Sequence, residues 1–243
     1  MSDQSLPGMP ARARRDSRTL GRVTAAFLMP IGPACVAVIR FVIPGWSGDV
    51  GADVAAHPDA QRFALILGIP ALFTLLPGAY AALRLGRRHR PILTAWTAAF
   101  LIPGYLGMTV LGANDYGVLA ATDIGLDPKT VTRLSDEIFG LSAIPGLVFV
   151  VGHIVGTLLL GVLAYRARLT PRPAAIALTF SQPLHLTAVI LNISWMDLTA
   201  WGATAVGMAF LGARILRTPD EEWDLPALPV SASRSRSVPT STG

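Results

Sequence analysis

"AIPGLVFVVGHIVGTLLLGVLAY", residues 143–165, contains no Asp, Glu, Lys or Arg, and Arg166 follows at once. A helix needs about 20 mostly apolar residues to cross roughly 30 Å of hydrocarbon. This stretch is long enough, so it reads as a transmembrane span. Five further runs read the same way, at roughly 23–44, 63–83, 92–112, 173–193 and 198–216, each flanked by charge. The expected fold is all-α, a polytopic membrane bundle of six transmembrane helices.

Composition agrees. The chain has 243 residues, 52% hydrophobic and 14% charged, where soluble domains carry about 25% charged residues. The deficit places it in the membrane class. The first span follows a long basic lead-in and contains Pro30 and Pro33, so it is not read as a cleaved signal peptide. Residues 1–20 are polar and basic, and 218–243 end in a stretch rich in Ser, Arg and Pro. They are expected to be disordered cytoplasmic tails around a transmembrane domain over 21–217. Cys35 is the single cysteine, which excludes an intrachain disulfide and a cysteine-based metal cluster.

The net charge is +5, almost all of it from arginine. Nucleic-acid binding is one meaning of a basic chain, but the positions of the arginines account for them without it. Arg84, Arg87, Arg88 and Arg90 fill the link between spans two and three, and Arg166, Arg168 and Arg172 the link between four and five. With the arginines before span one and after span six, they share one side of a six-span chain. Only Arg40, Arg62, Lys129 and Arg133 fall on the other, among many acids. An odd span count would scatter this partition. By the positive-inside rule both termini are cytoplasmic, and an arginine-rich, lysine-poor composition suggests a bacterial cytoplasmic membrane. Trp46 and Trp195 at outer ends, and Trp96 and Tyr165 nearer inner ends, sit where interfacial anchors belong.

The link between spans three and four, "DPKTVTRLSDEIFG", begins with Asp127 as an N-cap and Pro128 at the first helical position. Val131, Leu134 and Ile138 share a face, which predicts a short helix on the outer surface or over the bundle mouth. "TAAFLMP" (24–30) returns as "TAAFLIP" (97–103), with an echo in "TFSQP" (179–183). All three carry Phe-x-x-Pro in odd-numbered spans, which suggests three repeated helical hairpins; chance recurrence of residues common in membrane helices is the alternative. Prolines inside a span remove a backbone hydrogen bond and predict kinks.

Polar residues inside the spans are the candidate site. On span five, Gln182, His185 and Asn192 share a face, with Ser181 one turn before His185. On span four, Gly146, His153, Thr157 and Gly161 form a seam, and Gly152 and Gly156 make a Gly-x-x-x-Gly pair. At 1.5 Å per residue, His153 lies roughly 14 Å below the outer boundary and His185 roughly 11 Å. The two histidines are therefore expected at one depth, bonded to each other or through Gln182, with no carboxylate at that level. Arg40 either reaches the outer surface or pairs with an acid, Asp197 being the best candidate.

Three function classes follow. The first, and preferred, is a protein that handles a small molecule, ion or proton through the seam between spans four and five. The second is a redox protein with a haem b held by His153 and His185, or one linked to quinone. The third is a structural subunit that acts through a membrane partner or as a homo-oligomer in the lipid bilayer. No catalytic signature such as Gly-x-Ser-x-Gly or His-Glu-x-x-His occurs, which weighs against an enzyme.

Overall fold

The computed structural model describes residues 17–223. Among these described residues lie nine helices and no strand. Six are long and apolar enough to cross a membrane: α1 (Arg18–Val42), α3 (Pro58–Arg87), α4 (Pro91–Asp123), α6 (Ala143–Arg166), α7 (Arg172–Leu191) and α8 (Ser194–Leu216). They match the six expected spans one for one, as a multi-pass membrane protein requires. Three are short: α2 (Val50–Ala56), α5 (Pro128–Leu141) and α9 (Asp220–Trp223). Proline opens α3, α4 and α5 and stands second in α7, where the N–H it lacks would have had no helical partner.

The six long helices close into a ring. α1 packs on α3, α3 on α4, α4 on α6, α6 on α7, α7 on α8, and α8 returns to α1. Phe27 and Phe180 of the recurring Phe-x-x-Pro motif are exposed on the outside of this ring, and Phe100 is half-buried. The prolines lie inside helices that run on past them. Each leaves the carbonyl four residues earlier without its helical donor. For Pro30 that carbonyl is Ala26, and a methyl group at Gly212 of α8 would meet its oxygen at 2.5 Å. For Pro183 it is Thr179, against whose backbone Gly161 of α6 lies. Glycines on the neighbouring spans thus let backbones close on the stretches that proline loosens.

Several helices exceed the expected spans. α4 has 33 residues, about 50 Å of rise at 1.5 Å per residue, so its last turns stand clear of a hydrocarbon layer of about 30 Å. α2 and α5 pack on this projecting end. Val54, Val118, Ala121 and Val131 form a small second core there, and Asn114 Nδ2 donates to Ser135 Oγ at 3.2 Å. The Asp127 cap of α5 accepts from the Thr130 N–H at 3.1 Å. The buried side of α5 differs from the expected stripe. Val131 and Ser135 are buried, Ile138 half-buried and Leu134 exposed, because α5 meets α2 through Thr132, whose hydroxyl accepts from the Gly51 N–H and donates to Asp49.

At the opposite end the expected C-terminal tail begins later than 218. Thr218 and Trp223 are buried. Arg84 stacks on the Trp223 ring at 4.6 Å and donates to its carbonyl at 2.8 Å, while Arg22 pairs with Asp220 at 2.7 Å. The expected N-terminal tail likewise gives way to α1 at Arg18. The remainder of both expected tails, 1–16 and 224–243, lies outside the described residues.

Candidate functional site

The α4/α6 crossing places His153. Gly152 lies against the backbone at Phe100 and Gly104, and Gly156 against Leu101. The two helices approach so closely there that the imidazole on the next position turns into the ring of helices, where it is 1% exposed. Its Nδ1 lies 2.6 Å from the Phe149 carbonyl. A carbonyl only accepts, so Nδ1 carries the proton and Nε2 presents a lone pair. That Nε2 is buried and has no hydrogen-bond partner. Phe149 stacks on one side of the ring at 4.2 Å, and Trp201 lies parallel to it at 6.0 Å.

The α7/α8 turn places the second half. Asn192 takes a left-handed conformation, φ 55°, as the C-cap of α7, a conformation asparagine adopts more readily than most residues. The chain reverses within two residues, and Asp197 in the first turn of α8 is fully buried. Its Oδ1 lies 2.6 Å from His185 Nδ1, and its Oδ2 accepts from Arg40 Nε at 2.7 Å. The Arg40 guanidinium also sits over the Trp46 ring at 4.7 Å. Trp201 Nε1 approaches His185 Nδ1 at 3.3 Å. Indole N–H is a donor only, so Nδ1 cannot both donate to Asp197 and accept from Trp201. The shorter contact, to a carboxylate already paired with arginine, takes the proton. Both histidines therefore carry a proton on Nδ1.

Of the residues singled out from sequence, His153, Thr157, Ser181, Gln182 and His185 come together in the interior. Asn192 does not; it is exposed at the turn. The histidine rings lie 5.4 Å apart and tilted by 58°, and no bond links them. Gln182 Nε2 donates instead to Thr204 Oγ1 at 3.0 Å, and Thr204 donates to Ser181 Oγ at 2.9 Å. Gln182 Oε1 is buried without a partner, and the buried hydroxyls of Thr157 and Tyr105 lie beside each other. Arg40 and Asp197 form the ion pair described above. Sequence reasoning placed no carboxylate at the histidine level, yet Asp197 reaches it. From His185 to the turn is seven residues and back to Asp197 about four, a mismatch near 4 Å at 1.5 Å per residue, which two side chains span. Trp201 was missed too, although it stands one turn after Asp197 on the same face of α8.

A cavity of about 540 Å³ opens beside this cluster. Its walls come from all six long helices and are mostly apolar, with Arg40, Asp115, His153, His185 and Trp201 as polar points. Gly68 and Gly112 line it, and a side chain at either would point into open space. Among the described residues no group of three or more His, Cys, Asp and Glu is placed to hold a metal ion. A porphyrin between the two imidazoles would meet Trp201, which lies 6.0 Å and 5.6 Å from their ring centres. Comparisons with protein-family models, curated proteins and solved structures find no match to this chain.

Proposed function

We propose that this multi-pass membrane protein binds a small molecule in the cavity between its spans and handles it at the seam of α6 and α7, with His153 as the polar contact. One observation carries the reading: His153 Nε2 is a buried acceptor without a partner, beside a cavity of ligand size. Buried polar atoms are paired as a rule, so an unpaired one on a residue that lines a cavity points to a donor that the protein does not itself supply. The arginine partition supports both ends in the cytoplasm, and the arginine-rich, lysine-poor composition a bacterial membrane; the cavity then lies in the outer half.

The test is to purify the protein gently from membranes, extract it with organic solvent and identify what it retained by mass spectrometry. A small organic molecule is expected from the wild type and not from Gly68→Phe, whose ring would occupy the cavity. Identical extracts from the two would contradict the reading. A structural role is favoured for the other half of the cluster, because the Arg40–Asp197–His185 chain ties α1, α8 and α7 together. Haem between the histidines is disfavoured by the position of Trp201.

A further inference from the structure

The class of molecule follows from what the cavity offers it. Its charged and titratable wall groups are Arg40, Asp115, Tyr116, His153 and His185. The Arg40 charge is balanced by Asp197 and its face lies over the Trp46 ring, and Asp115 on the same wall repels an anion, so an anion gains little here. A cation would be held at Asp115, away from the histidines, because the carboxylate beside the imidazoles, Asp197, already holds Arg40 and His185. What the inner wall presents at this level is the His153 imidazole, whose Nε2 is buried and unpaired. Such a wall selects a neutral donor.

The rest of the lining selects an apolar body. Ile69 and Phe73 on α3 and Leu186 on α7 line the cavity and are also exposed on the chain. All three lie well inside spans, where the surrounding medium is hydrocarbon. A molecule dissolved in the bilayer meets apolar side chains from lipid to cavity.

We infer that the ligand is a neutral, lipid-soluble molecule bearing a hydroxyl group, which enters from the bilayer and donates its hydroxyl hydrogen to His153 Nε2. This rests on the small-molecule reading above and adds the ligand's chemistry to it.

The probes are four adamantanes with one body and different heads: 1-adamantanol, its methyl ether, 1-adamantylamine and adamantane-1-carboxylate. Each is titrated calorimetrically into full-length protein in lipid nanodiscs, with empty nanodiscs subtracted. The alcohol is expected to bind about tenfold tighter than the ether, which cannot donate, and tighter than the two charged heads. In His153→Phe the alcohol should lose its advantage over the ether. An ether that matches the alcohol in the wild type, or a charged head that binds tightest, would overturn the ligand class and leave the cavity reading standing. No binding of any probe to the wild type would overturn both. The wild-type series decides the matter even where His153→Phe fails to fold.

Discussion

An imidazole nitrogen buried without a partner costs about 1–3 kcal/mol, and His153 Nε2 is such an atom. A residue kept at that cost is kept for something other than stability. His153→Phe preserves the ring stacked between Phe149 and Trp201 while removing the unpaired nitrogen, so the empty protein should gain about 1 kcal/mol, read as a rise in melting temperature in detergent. A loss of several kcal/mol would show that Nε2 has a structural partner. Asp197 predicts the opposite sign. Asp197→Ala leaves the Arg40 guanidinium and the His185 N–H without their acceptor, and removing one partner of a buried pair destabilises by about 3–5 kcal/mol, discounted here because Arg40 is partly exposed. Equal melting temperatures for Asp197→Ala and wild type would contradict the pairing. These residues were legible to different degrees. The histidines stood out because ionisable groups are rare in apolar runs. Asp197 was legible as a partner for Arg40 but not for His185, because its depth is set by the tight turn at Asn192, and the left-handed conformation of that residue is not visible in a hydropathy pattern.

Helix pairing turns on glycine at places the sequence cannot rank. Gly146 and Gly161 belong to the expected seam on α6, and Gly152 and Gly156 to the expected Gly-x-x-x-Gly pair. In the structure Gly156 lies against the α4 backbone at Leu101, while a side chain at Gly146 would meet nothing within 4 Å. Gly156→Ala should therefore destabilise by about 1–3 kcal/mol, the usual cost of overpacking, and Gly146→Ala should be close to neutral; thermal melts of the two variants check this, and equal effects would contradict the α4/α6 crossing. The α2/α5 contact carries a pH dependence. The Thr132 hydroxyl and the Ala52 N–H hold the Asp49 carboxyl below its ordinary range, and the Thr130 hydroxyl and N–H do the same for Asp127. A lowered folded-state value means the contribution is full above the unfolded value of about 3.9 and fades as pH falls through the folded one. The amide signals of Ala52 and Thr130 should thus titrate only below about pH 4, and a midpoint above that would contradict both bonds. Spans were readable from their apolar length. The reach of α4 beyond the membrane was not, because its last turns are held by α2 and α5, a tertiary contact that leaves no periodic signal. The buried face of α5 was misjudged for the same reason: Ser135 faces inward to meet Asn114.

At the scale of the whole molecule, six spans close into a ring whose wall does not fill its interior. Proline-bearing helices set against glycines bring the backbones together at the arginine-rich end, and the space left in the other half holds the histidines. On the proposed orientation, trypsin should reach Arg133 from outside the cell only, and Arg88 in the link between α3 and α4 from inside only; cleavage of both from one side would contradict six spans. A structure from crystals grown in lipid tests the central claim most directly. The account predicts non-protein density in the cavity, with a donor atom within hydrogen-bond distance of His153 Nε2. A cavity closed by its own side chains, with His153 Nε2 bonded to a protein group, would contradict it.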